Sequence, residues 1–447
     1  MPARTLLSAL AIVSTVFTTA EAANPRPEVV YGEDNRLDLH DTKVPESWRL
    51  LARSTAVLME TSKLTPHTSR AGHLNVASEN FGDAMQLCAD EPFREQPTAG
   101  FCSGFLVGPD IFVTAGHCMT SQTRCDSTSF VFDFGYNEPT TDLSSVPSDN
   151  VFTCKSIIAQ EVDDETQSDF AIVRLDRPVA GRTPLQYKKQ GATKSDTKLL
   201  VIGHPSGLPT KVAGDASVRN SNPDKPFFVA NLDTYGGNSG SAVFNEETRE
   251  IEGILVRGER DFQYVNGCSK SNVCAQDACR GEDVTKSTVF AEYLDIDERP
   301  TEIHAAKITG LATPIPDNDP AGITQDLNIL SSGEIAAIGV RVKIEHTYPG
   351  DLRVSMRHPN GTEVYLGALG NSSHFSKPDD SPTDTPASRP ATVIERTFGM
   401  DGVAVKALWQ LRKLPANGNW QVIIRDAATS DLGTLQEVEL KVQTFIQ

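Results

Sequence analysis

Between Ile338 and Met356 the chain alternates apolar and polar residues almost without a break. Ile338, Val340, Val342 and Ile344 are separated by Gly339, Arg341 and Lys343, and Leu352, Val354 and Met356 by Arg353 and Ser355. A strand turns successive side chains to opposite faces, so a period of two gathers the apolar residues on one side of a sheet. The pattern returns at Val364 and Leu366 after the Pro359-Asn360-Gly361 turn, at Trp420, Val422 and Ile424 after Asn417-Gly418, and at Val438, Leu440 and Val442. Asn-Gly between alternating runs favours tight hairpins. The last third of the chain therefore reads as antiparallel sheets with one buried face.

Upstream, from about Glu28 to Leu294, short β-type runs such as Gly104–Ala115, Phe170–Leu175, Lys198–Ile202, Ala242–Phe244 and Ile251–Val256 are separated by turn residues. Helical periodicity is not sustained, with Pro45–Leu58 ambiguous, and strands do not alternate with helices. Both facts predict an all-β barrel or sandwich. The eight cysteines (Cys88, Cys102, Cys118, Cys125, Cys154, Cys268, Cys274 and Cys279) all precede residue 280. The C-terminal part must fold without covalent staples, which marks a domain boundary. Asp295–Thr301, charged and Pro-containing, reads as a linker, and the polar, Pro-rich Asn371–Pro390 as an exposed loop.

The N-terminus has the layout of a secretory signal peptide over residues 1–22: Arg4, the apolar Leu6–Val16, then Ala20-Glu21-Ala22. No later apolar run reaches the roughly 18 residues that a membrane anchor requires. An even set of cysteines behind such a leader reads as disulfides. A net charge of −18 repels nucleic-acid phosphate and anionic lipid, which sets both aside as partners. With 38% hydrophobic and 22% charged residues the chain is not of disordered composition. A soluble, monomeric protein outside the cytoplasm, extracellular or periplasmic, is expected.

Three segments carry chemistry: Thr114-Ala115-Gly116-His117-Cys118, Asp169-Phe170-Ala171-Ile172-Val173, and Gly236-Gly237-Asn238-Ser239-Gly240-Ser241. A serine hydroxyl is a weak nucleophile and needs a base to take its proton as it attacks. Histidine titrates near neutrality, and a carboxylate holds its tautomer and stabilises the imidazolium. Backbone amides in a glycine-rich turn can face a developing oxyanion. Asp163 and Asp164 compete with Asp169 but sit in an acidic loop, whereas Asp169 opens an apolar run. His204 reads as a loop residue with a second reading near the substrate. Cys268, Cys274 and Cys279 read as bridges before a zinc site.

These segments resemble the chymotrypsin-like serine peptidases, in that family's order His, Asp, Ser. Gly-Gly-Asn-Ser-Gly-Ser is most similar to the bacterial glutamyl-endopeptidase branch, and Val30-Tyr31-Gly32-Glu33-Asp34-Asn35-Arg36 is similar to that branch's mature start. The resemblance implies a double six-stranded β-barrel over residues 28–294. It makes His117 the general base, Asp169 the orienting acid and Ser239 the nucleophile. The amides of Gly237 and Ser239 become the oxyanion hole, and Cys102 is bridged to Cys118. Fifteen pairings remain for the other six cysteines, with Cys125–Cys154 favoured. Catalysis then requires no cofactor, and the substrates are proteins and peptides.

Selectivity is expected from Asp233, six residues before the nucleophile, and from a wall at Val256-Arg257-Gly258. The glutamyl branch has a His where Val256 aligns. Asp233 resembles the trypsin arrangement, so Arg or Lys is expected before the scissile bond; alternatively Asp233 pairs internally, with Arg257, or points away. Asn238 carries no charge to capture a newly cut N-terminus, unlike trypsin. Residues 307–447, after a linker at 295–306, are similar to the P domain of proprotein convertases at Glu345-His346-Thr347-Tyr348-Pro349-Gly350-Asp351, Asn417-Gly418-Asn419-Trp420 and Asp426 to Leu435. That resemblance implies a jelly-roll-like β-sandwich with a stabilising or targeting role. Asp351, Asp426 and Asp431 are either turn-formers or ligands of a structural calcium. Two other functions compete: an inactive homologue serving in binding or adhesion, and an esterase. Esterases order their triad Ser, Asp, His within Gly-x-Ser-x-Gly, which Ser241 interrupts.

Overall fold

The computed structural model describes residues 29–163, 166–297, 299–369, 391–400, 402, 405–429 and 431–446. The signal-peptide segment, Asp164 and the loop at 371–390 lie outside the described residues.

The first half builds two closed barrels. Thr55–Glu60, Cys102–Leu106, Ile111–Thr114, Asp169–Leu175, Val151–Val162 and Thr128–Phe132 pair in that order, and the last strand closes on the first. In the second barrel Lys198–Gly203, Ala242–Asn245, Ile251–Arg257, Glu282–Lys286, Phe227–Ala230 and Lys211–Asn220 close through pairing of the last with the first, and Arg36–Asp38 adds on outside. The fold is therefore the double six-stranded barrel. Edge-to-face rings, such as Phe112 on Phe130 at 4.8 Å and Phe132 on Phe152 at 5.5 Å, occupy the first barrel. Most of its strands are covered on both faces, Val151–Val162 being the partly exposed one; Asp169–Leu175 buries every residue but Arg174. That explains why they lack the alternation of the C-terminal strands. The ambiguous stretch at 45–58 holds two elements, the helix Glu46–Ala52 and the start of the strand at Thr55.

The C-terminal third is a β-sandwich of two four-stranded sheets. Thr301–Ile315, Gly433–Phe445, Ile335–His346 and Thr392–Gly399 form one, and Ile323–Ile329, Gly418–Asp426, Leu352–Arg357 and Glu363–Ala368 the other. Val340, Val342, Ile344, Val354, Trp420 and Val422 are fully buried between them, on the face their alternation assigns. The sandwich begins earlier than composition indicates. Its first strand opens at Thr301, inside the stretch read as a linker, because residues 301–309 pair with the last strand of the chain.

All cysteines are bridged: Cys88–Cys268, Cys102–Cys118, Cys125–Cys154 and Cys274–Cys279. The two halves meet through aromatics. Trp409 of the sandwich packs edge-on against Tyr293 at 4.8 Å, and Tyr293 lies 5.4 Å from Phe170, the neighbour of Asp169. Trp409→Ala is expected to remove about 2 kcal/mol of this contact. A thermal scan should show a melting temperature lower by roughly 4–8 °C; an unchanged melt would mean that the halves fold independently.

Candidate active site

The turn Gly116–Cys118 follows the strand Ile111–Thr114 and is pressed onto two neighbouring strands. A Cβ on Gly116 would lie 2.1 Å from the Glu161 carbonyl oxygen and 2.8 Å from that of Phe170, so only glycine fits. This approach delivers His117 to Asp169. The backbone N–H of His117 donates to Asp169 Oδ1 at 3.1 Å, and Nδ1 donates to Oδ2 at 2.8 Å. An ionised carboxylate only accepts, so the imidazole proton sits on Nδ1 and Nε2 is left basic. Asp169 is fully buried, and the His117 side chain keeps 12% exposure.

Ser239 is held against the same loop. Its carbonyl accepts from Ser103 N at 2.8 Å and lies 3.8 Å from Cys118 Sγ. Gly240 adopts φ +91°, and a Cβ there would fall 2.1 Å from Ser103 O and 3.0 Å from Ala115 N, two residues before His117. The Cys102–Cys118 bridge joins the two segments that clasp this turn. Ser239 is buried, yet its Oγ has no hydrogen-bond partner among the described residues.

The preceding peptide is held at both ends. Gly236 O accepts from Ser206 N at 2.7 Å, and Gly236 N donates to Asp261 Oδ2 at 3.0 Å. Since the peptide is trans, the N–H of Gly237 points opposite to that carbonyl. Among the described residues neither the Gly237 nor the Ser239 amide donates to a protein acceptor. Asn238 is satisfied by neutral partners: its Nδ2 donates to Thr234 Oγ1 at 2.5 Å, and Oδ1 accepts from Ser241 Oγ at 2.7 Å.

Two residues expected to set selectivity are engaged by the protein itself. Asp233 is not an open floor. Its Oδ1 accepts from Tyr31 N at 2.6 Å and its Oδ2 from Asn35 N at 3.0 Å, so both oxygens anchor the N-terminal segment. Burial pushes its carboxyl up to about 6, against the pull of those amides. The neighbouring Arg36 ties the same segment down, paired with Asp34 at 2.6 Å and stacked 3.6 Å from the Tyr235 ring. Arg257 pairs with Asp283, not with Asp233. It stands in register with Asp283, to which Nε donates at 3.0 Å, while Nη2 donates to Gln167 O at 2.8 Å. Its Nη1 comes within 3.9 Å of Asp169 Oδ2. His204 is buried beneath the serine turn, where Nδ1 donates to Leu208 O at 3.0 Å and burial lowers it to about 3.

Sequence reasoning missed Ser206 and Asp261, because nothing local marks either. Burial, opposed by the Gly236 amide, pushes Asp261 up to about 8. A carboxyl raised on folding takes up a proton, so its stabilisation is complete below about pH 4 and is lost as pH rises through about 8. Asp261→Asn cannot ionise but can still accept from Gly236. It is expected to flatten the fall in melting temperature between pH 6 and 9 that the wild type should show.

Two of the calcium candidates have protein partners. Asp426 Oδ2 pairs with buried His346 Nε2 at 3.1 Å, and Asp431 accepts from Thr347 Oγ1 at 2.9 Å. Among the described residues one ligand-like group gathers, Cys102, His117 and Cys118, and its two cysteines are disulfide-bonded. No described helix is long and apolar enough to cross a membrane.

Residues 102–254 match the family model of the trypsin-like peptidase domain, and residues 335–442 that of the proprotein convertase P-domain. A glutamyl endopeptidase of Bacillus licheniformis is 30% identical over 157 residues, which is 33% of this chain and 46% of that protein. The chain thus matches about half the length of this curated relative. Among solved structures, a Glu endopeptidase in complex with MPD is 16% identical, with TM-score 0.35, covering 60% of this chain and 98% of the other. The Vibrio cholerae VesB protease is 12% identical, with TM-score 0.36, covering 83% and 90%.

Proposed function

We propose that this chain, a trypsin-like peptidase domain followed by a proprotein convertase P-domain, is a secreted, monomeric serine endopeptidase that cuts proteins and peptides. The observation that carries the reading is the double grip of Asp169 on His117, through both the backbone N–H and Nδ1, beside a serine whose hydroxyl has no structural bond. Ser239 Oγ attacks the scissile carbonyl while His117 Nε2 takes its proton, and Asp169 stabilises the imidazolium. The Gly237 and Ser239 amides donate to the oxyanion. His117 then returns the proton to the leaving amine, and the acyl-enzyme is hydrolysed by water through the same base. Every group comes from the chain itself, so this chemistry takes no cofactor. Four disulfides and the leader-like N-terminus support secretion.

A fluorophosphonate probe, followed by mass-spectrometric mapping of cuts in a diverse peptide pool, tests the reading. Labelling and cleavage by the wild type, both lost in Ser239→Ala, are the expected result. A folded wild type that neither labels nor cuts would replace the reading with a binding or adhesion role.

A further inference from the structure

His117 and Asp169 belong to the first barrel, whereas Ser239 stands just before a strand of the second, Ala242–Asn245. Chemistry between them needs the two barrels held in a fixed relation. Asp169 opens its strand directly after a loop closed by Gln167 N on Asp163 O at 2.7 Å and Asp163 N on Ser168 O at 3.0 Å. Gln167 has φ +68°, a left-handed conformation that residues other than glycine adopt sparsely. One side chain of the second barrel reaches this loop. Arg257 donates through Nη2 to Gln167 O at 2.8 Å, and its Nη1 stands 3.9 Å from Asp169 Oδ2. The Arg257 side chain is 17% exposed and that of Asp169 fully buried, so their attraction is weakly screened. Arg257 is fixed in turn by its own barrel. Its Nε donates to Asp283 Oδ2 at 3.0 Å, and its guanidinium carbon lies 5.4 Å from the Phe227 ring on the strand beyond. Its strand, Ile251–Arg257, pairs with Ala242–Asn245, and Leu255 O accepts from Gly240 N at 2.7 Å, beside the nucleophile.

We propose that Arg257 is a positioning residue: it ties the acid of the first barrel to the strand pair of the second that carries the nucleophile, and so sets where His117 Nε2 meets Ser239 Oγ. The inference rests on the peptidase reading above. A guanidinium is planar and presents its N–H groups in fixed directions, so it can serve Asp283, the Gln167 carbonyl and Asp169 at once. An ammonium on a flexible stem cannot hold three acceptors in that geometry. The fully buried Asp283 carboxylate offsets the guanidinium charge. The imidazolium that forms at His117 is then not opposed by an uncompensated cation. A hold of this kind acts on the reacting geometry, so its loss is felt in kcat rather than in KM.

The test compares full-chain wild type, Arg257→Ala and Arg257→Lys, reading kcat and KM on one peptide that the wild type cuts, with a thermal melt of each protein. Expected is a fall in kcat of about 100-fold in Arg257→Ala, as for a reacting group displaced by about 1 Å, with KM within about twofold. Guanidinium ion at millimolar concentration should occupy the vacated place between Asp283 and Gln167 and raise kcat of Arg257→Ala by about tenfold; sodium ion at equal ionic strength should not. Arg257→Lys should fall between wild type and Arg257→Ala. Unchanged kcat in Arg257→Ala overturns the assignment. So does a raised KM at wild-type kcat, which would make Arg257 a substrate contact, or a loss that follows the melt and is not restored by guanidinium, which would make it structural only. Should Arg257→Ala fail to fold, Arg257→Lys decides: lowered kcat at wild-type KM supports the assignment, and wild-type kcat overturns it. A folded wild type that neither labels with fluorophosphonate nor cuts removes the peptidase reading, and this assignment with it.

Discussion

Ser239→Ala is expected to lower kcat by about 10⁶-fold while KM changes little. The Oγ makes no hydrogen bond among the described residues, so its removal takes away no structural support. Stability should stay within about 0.5 kcal/mol of wild type, which separates lost chemistry from lost fold. The backbone around the substitution is held by bonds that do not involve the side chain, from Ser103 N to Ser239 O and from Gly240 N to Leu255 O. Steady-state kinetics on a peptide substrate, with a thermal melt of both proteins, checks the result. Turnover within tenfold of wild type would remove Ser239 as nucleophile. Ser241, whose hydroxyl is committed to Asn238, offers no ready substitute.

Asp169→Asn should cost about 10⁴-fold in kcat. The amide is nearly isosteric, but it can turn an NH₂ group toward His117 Nδ1. The imidazole then keeps its proton on Nε2 and presents a donor where the serine needs an acceptor. Arg257, 3.9 Å from the same oxygen, loses an anionic neighbour but retains Asp283 and Gln167. Serine labelling should fall in parallel with kcat while the fold persists. A loss of tenfold or less would mean that another acid orients the histidine.

The barrels and sandwich were legible wherever a pattern is local. Ile338 to Ile344 and Leu352 to Met356 bury the face that their alternation assigns. His117 and Asp169 meet as their motifs imply. What was not legible depends on partners remote in sequence. The environment of Asp233 is set by amides 198 and 202 residues away. Arg257 is bound to Asp283, its partner in register on the neighbouring strand. The strand at Thr301 is mostly exposed and weakly patterned, so only its pairing with the last strand reveals it. Ser206 and Asp261 act on the Gly236 peptide from separate loops, and no spacing rule links them.

The Cys88–Cys268 bridge spans 180 residues, and His117, Asp169 and Ser239 all lie within that span. In chain-entropy terms so long a closure is worth about 5 kcal/mol, but its second effect concerns the proposed peptidase among copies of itself. A single nick anywhere between residues 88 and 268 leaves both fragments tethered, so self-digestion need not scatter the proposed catalytic groups. Aged preparations should run as one band without reductant and split with it, still active before reduction.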